Sequence, residues 1–237
     1  MAHHKSSSHA RGARASSVTI IDLAHRALSM NEAMPQQPAN ETSHEISRIA
    51  NLTETLAEFV LLNCDTKVRS LAIDLEDVLK EFIAAERPIR VGIQHRIESR
   101  VHEIRNSARR GNLVRIAFAA TELYRLAYRE IPRDFQKEPA KAMHLGYCSL
   151  KLEVLARRNP ADWVAIEAIA IAAIVTCDVL SAVLVDLRLR CLLNRAATTL
   201  AEALSRRDLS KLEHAARRMR VVRRRVKDYH VLVWGAR

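Results

Sequence analysis

The stretch NPADWVAIEAIAIAAIVTCDVLSAVLVDLRLRCLLNRAATTLAEALSR, residues 159–206, decides the fold. Asn159 suits a helix N-cap, Pro160 the first helical position, and Asp162 puts an acid in the first turn. After Pro160 neither proline nor glycine recurs until Gly235. Ile166, Ala170, Ala173, Cys177, Leu180, Leu184, Leu187 and Cys191 alternate three and four residues apart. That spacing draws one apolar stripe down a helix. The stretch therefore predicts one long helix from 160 to about 206, with a bend near Thr176–Asp178.

The same signals extend outward in both directions. Thr42 and Glu45 make a capping box for a first bundle helix. Helices follow over about 65–86, 93–109, 113–131 and 139–158, punctuated by Pro88, Gly92, Gly111, Pro132 and Pro139. Asp208, or the box Ser210–Glu213, caps a last helix whose seam is Ala215, Met219, Val222, Val226 and Tyr229. Only 5 Gly and 6 Pro occur in 237 residues, so turn formers are scarce and helix formers dominate. The expected fold is all-α. A bundle of about seven helices fills residues 41–237. A disordered basic tail with a short helix and a Pro-containing linker fills 1–40.

Two corners echo each other: RRGNLVRIAFAATELYRL (109–126) and RRDLSKLEHAARRMRVV (206–222). Two copies do not define a period, so the echo reads as shared corner chemistry rather than as a repeat array.

The net charge of +11 is unevenly placed. Residues 1–17 carry three bases and no acid, which allows an organelle leader or a basic tail. Residues 217–228 carry seven bases against one acid, while 18–216 is nearly neutral. Residues 41–86 hold 10 acids against 4 bases, and 87–133 hold 11 bases against 4 acids. Neighbouring hairpins from these two segments should attract one another.

The candidate partner- or anion-binding residues are therefore Arg217, Arg218, Arg220, Arg223, Arg224, Arg225 and Lys227. Their guanidinium groups suit carboxylate or phosphate in a bidentate grip. Along the helix, Arg217, Arg220, Arg224 and Lys227 share one flank, Arg218 and Arg225 the other, with Arg223 between. Glu167 and Asp178, three turns apart on the most apolar helix, form a candidate polar core or ligand cleft. The expected state of these acids is burial, salt-bridged to the basic 87–133 segment.

Other chemistries lack residues. His95, Glu98 and His102 share a helix face, but the apolar stripe Ile93–Ile97–Val101–Ile104 points away from it, so no metal site is assigned. Tyr124 and Tyr128 read as core edge, beside solvated Arg125 and Arg129. No GxSxG, GxGxxG, Walker loop or HExxH occurs, and glycine is too rare for phosphate-cradling loops. VTIIDLAHRA (Val18–Ala27) resembles the opening of lac-repressor-type helix-turn-helix domains, which implies a following recognition helix. Here Pro35 stands where that helix would run. Residues 163–185 are long enough to span a bilayer, but Glu167 and Asp178 interrupt them, so a buried central helix is expected and a membrane partner is disfavoured. Four scattered cysteines without a CxxC pair fit free thiols in a reducing, cytoplasmic compartment, with Cys177 and Cys191 on one buried face.

The sequence thus points to a non-enzymatic interaction or regulatory protein docking an acidic protein through its C-terminal helix. Alternatives are phosphate binding on nucleic acid through the two basic ends and a ligand or metal near Glu167 and Asp178. No cofactor is implied, and self-association stays open.

Overall fold

The computed structural model describes residues 41–84, 91–131 and 139–234. The basic tail, the short helix, the linker and the Val18–Ala27 resemblance lie outside them. Among the described residues there are eight α-helices and no strand. They are α1 (Glu41–Leu61), α2 (Asp65–Ala84), α3 (Val91–Arg109), α4 (Leu113–Glu130), α5 (Ala140–Ala156), α6 (Trp163–Val183), α7 (Leu187–Ser205) and α8 (Leu209–Trp234).

The eighth helix comes from the stretch predicted to be continuous over 160–206. Leu184 turns extended at ψ 130, and the Asp186 side chain accepts hydrogen bonds from the N–H groups of Arg188 and Leu189. An aspartate that satisfies two orphan donors starts a new helix where the apolar spacing alone would run on. The break therefore falls at Asp186, not at Asp178. At the front end the cap is Asp162 rather than Asn159, with its carboxylate accepting from Ala165 N–H. For α8 the cap is Asp208, which accepts from Lys211 N–H.

Three helix corners share one geometry. Asn63, Gly111 and Arg207 adopt positive φ of 55, 65 and 48. The next residue in each case donates its N–H five residues back: Cys64 to Phe59, Asn112 to Ser107 and Asp208 to Ala203. This is the Schellman ending, in which a left-handed residue lets the chain reverse tightly. The three positions are separated by 48 and then 96 residues, and Asn159, in the α5–α6 corner, sits midway between the last two. The α5–α6 corner at Asn159 falls at the same spacing but does not share the left-handed geometry. The Arg-Arg echo at 109–126 and 206–222 falls on two of these matching corners, as shared corner chemistry would have it. Only one of the left-handed positions is a glycine, so the sequence signal is faint.

The hairpins close into two rings of four. In the first, α1 packs along α2 and α4, and α3 along α2 and α4; in the second, α5 to α8 repeat that arrangement. The rings meet where α5 lies against α4 and α1. The attraction expected between the acidic and basic segments is present as an ion pair from α3 to α2, Arg105 Nη1 to Glu76 Oε1 at 2.7 Å. Acids of α1 are used differently, as described below.

In this arrangement α6 and α7 lie outermost in their ring. Ile166, Ala170, Ala173, Cys177 and Leu180 are buried, but the opposite face of α6 is exposed. The expectation of a buried central helix is thus half right. Its length and apolarity would also suffice to cross a membrane. Cys177 is buried and Cys191 exposed, on different helices, because the Asp186 break rotates one stripe away from the other.

Candidate functional site

α8 is positioned by its seam. Leu212, Ala215, Ala216, Met219 and Val226 are fully buried, and Val222 nearly so. Rotating that seam inward decides the fate of each arginine. Arg223, which lies between the two flanks, goes straight into the core, 2% exposed. Its guanidinium pairs with Glu54 of α1 and donates to the Tyr124 hydroxyl of α4 at 3.0 Å. Gly146 of α5 makes room for it: a Cβ there would stand 3.2 Å from Arg223 Nε and 3.2 Å from Tyr124 Oη. One residue of each of α1, α4, α5 and α8 thus meets at a single buried cation.

The flank Arg217–Arg220–Arg224 faces carboxylates. Arg220 is buried and lies 3.0 Å from Glu153 of α5 and 3.6 Å from Glu58 of α1. Arg224 pairs with Glu58, and Arg217 with Glu213 at 3.0 Å. Arg157 also reaches Glu213, at 2.7 Å. Glu153 is fully buried, and no donor meets hydrogen-bond geometry at either of its oxygens. Burial therefore outweighs the pull of Arg220, Arg217 and Arg157, and the carboxyl is held above its ordinary range.

Arg220 and Arg223 are consequently not partner-binding residues, contrary to the sequence expectation. A guanidinium closed in by Glu54, Glu58 and Glu153 offers no donor to a second molecule. Lys227 is half-buried. Arg218 and Arg225 remain outward, as their flank predicted. The exposed positions His214, Arg217, Arg218, Val221, Arg224, Arg225 and Asp228 recur at three and four spacing. They form one continuous outward face of α8. Arg217 and Arg224 keep about half of their side-chain surface in solvent despite their pairs.

The Glu167–Asp178 cleft does not exist. Both acids lie on the solvent side of α6, and neither forms an ion pair among the described residues. The sequence places them on one face correctly, but that face is opposite Ile166, Ala170 and Ala173. Glu167→Gln should accordingly change unfolding stability by less than about 0.5 kcal/mol, measured by urea denaturation.

A second polar cluster joins α4 to α5, and the sequence reading missed it. Lys151 caps Glu122, which also binds Arg125. Burial pushes the Glu122 carboxyl up, but the hydrogen bond and charge of Lys151, with Arg125, win and hold it below its ordinary range. Nearby, the Tyr128 hydroxyl lies 2.9 Å from His144 Nδ1, and Cys148 Sγ lies 3.6 Å from Nε2. Tyr124 and Tyr128 are both buried, deeper than the core edge expected. Burial drives the Cys148 thiol far up, which disfavours the thiolate. His95 and His102 are exposed, and no group of three ligands for a metal occurs among the described residues.

No family model matches this chain, and no curated protein or solved structure matches it either. The surface itself must then carry the functional reading.

Proposed function

We propose that the protein is a non-enzymatic helical interaction module that docks an acidic protein through the outward face of α8. The observation behind this reading is the unbroken exposed stripe His214–Arg217–Arg218–Val221–Arg224–Arg225. Among the described residues, Arg218 and Arg225 carry no ion pair, while Arg217, Arg220, Arg223 and Arg224 of the same helix are each matched to carboxylates. The internal network leaves the helix rigid, so the outward guanidiniums are presented at little further entropic cost. Val221, 48% exposed, sits mid-stripe and adds apolar contact of the sort protein interfaces use. The lack of exposed aromatics in the stripe argues against base stacking. Four free cysteines support a cytoplasmic setting.

The test is fluorescence anisotropy with a glutamate-rich peptide, and separately with single- and double-stranded oligonucleotides, across a salt series. The peptide should bind, and Arg218→Glu with Arg225→Glu should weaken it more than tenfold while thermal stability is retained. Arg220 is unsuitable as a probe because its reversal would break the core. Binding of oligonucleotide alone, falling steeply with salt, would replace this reading with phosphate docking. Absence of binding to any probe at low salt would overturn both.

A further inference from the structure

The face of the α6–α7 hairpin turned away from α5 and α8 is unusually apolar. Val164, Ala168, Ile171 and Ala182 are exposed along α6, and Val183, Val185 and Leu187 at its turn into α7, Val164 and Val185 by 81% and 82%. The first ring supplies an internal comparison. α2 occupies the same place in the first ring and shows Lys67, Arg69, Asp74, Asp77, Lys80 and Glu81 to solvent, with Ile73 and Ile83 exposed among them. The ring fold therefore does not require an apolar outer helix. A row this apolar signals a contact surface.

Charge identifies what covers it. From Asn159 to Leu187 the chain carries Asp162, Glu167, Asp178 and Asp186 and no Lys or Arg. The neighbouring α7 exposes Arg188, Arg190 and Arg195. One hairpin thus holds an acidic apolar helix beside a basic one, and such a face is complementary to itself. A two-fold axis running along the hairpin, between its helices, lays α6 of each copy on α7 of the other. That rotation preserves height along the helices. Asp178 lies six residues before Leu184, and Leu192 six residues after Asp186, so the two share a level. Asp178 of one copy then falls between Arg188 and Arg195 of the second copy, one turn to either side. Glu167 falls level with Ala203, between Glu202 and Arg206, and contributes no net attraction.

The area suffices. A 21-residue helix is about 30 Å long, and two helices side by side are about 20 Å across. This gives about 600 Å² per copy and about 1,200 Å² in all, the lower end for a specific dimer.

We infer that the α6–α7 face is a self-association surface whose occupant is a second copy of this chain, docked α6 on α7 across a two-fold axis.

Sedimentation velocity of the full chain over a concentration series tests this. The wild type should dimerise. Ile171→Glu should raise the dimer dissociation constant about a hundredfold, since each change enters the interface twice. Asp178→Arg and Arg195→Glu should each weaken the dimer, and an equimolar mixture of those two variants should restore it. All three positions are exposed, so circular dichroism and melting temperature should match the wild type. A chain that stays monomeric throughout would overturn the inference. So would a dimer indifferent to these substitutions, or charge variants that fail to rescue each other. None of these outcomes depends on the α8 stripe.

Discussion

Arg223→Ala is expected to destabilise the protein by about 3–5 kcal/mol, while Arg225→Ala, two residues along the same helix, should cost less than about 0.5 kcal/mol. The contrast follows from burial alone. Arg225 is solvated, whereas Arg223 is the largest of the fully buried side chains. Removing its guanidinium strands the Glu54 carboxylate in a site 8% exposed and takes a donor from the Tyr124 hydroxyl. It also empties the space that Gly146 leaves open. Most of the loss is the price of an uncompensated buried charge rather than the worth of the ion pair. Arg223→Met combined with Glu54→Leu should therefore recover much of the stability. Urea unfolding of the three variants decides the matter. Equal, small effects of Arg223→Ala and Arg225→Ala would show that Arg223 is not buried.

The separation of these two arginines was only partly legible in the sequence. The α8 periodicity placed Arg218 and Arg225 on one flank and Arg223 between the flanks, and the helix kept that geometry. Their environments were not legible, because the groups that take up Arg220, Arg223 and Arg224 come from α1, some 160 residues earlier, and from α5. Local spacing holds no information about such pairings. The helices themselves were readable because capping residues and prolines punctuate them. The missed helix break fell where Asp186 acts as a cap inside an apolar run, while Asp178 in the same run stays helical. Composition could not tell those two aspartates apart. Glu167 and Asp178 failed as a cleft for a related reason. The apolar composition of α6 implies burial all round, yet one of its faces is open.

Acid should unfold the protein in two stages, and His144 sets the first. Burial pulls its pKa down to about 4 from the ordinary 6.5, helped by the positive charges of Lys141, Arg129 and Arg125. The folded state therefore favours the neutral ring. Its contribution is complete above pH 6.5 and is lost as the pH falls from 6.5 toward 4. The loss is about 2–3 kcal/mol over that window, from 1.36 kcal/mol per pKa unit. Protonation also leaves both ring nitrogens as donors, so only a Tyr128 hydroxyl that accepts can keep the 2.9 Å contact with Nδ1. Glu122 is also shifted down, the opposing effect of burial being outweighed by Lys151 and Arg125, so its stabilisation is present above the ordinary carboxylate value and disappears only at lower pH. Glu153, held above its ordinary range, opposes the trend by taking up a proton readily when folded. Comparison with His144→Gln isolates the histidine. The variant should be less stable than the wild type at pH 7 yet lose less stability between pH 6.5 and 4 in urea titrations at each pH. Parallel wild-type and variant curves through that window would exclude His144 as the group that titrates there.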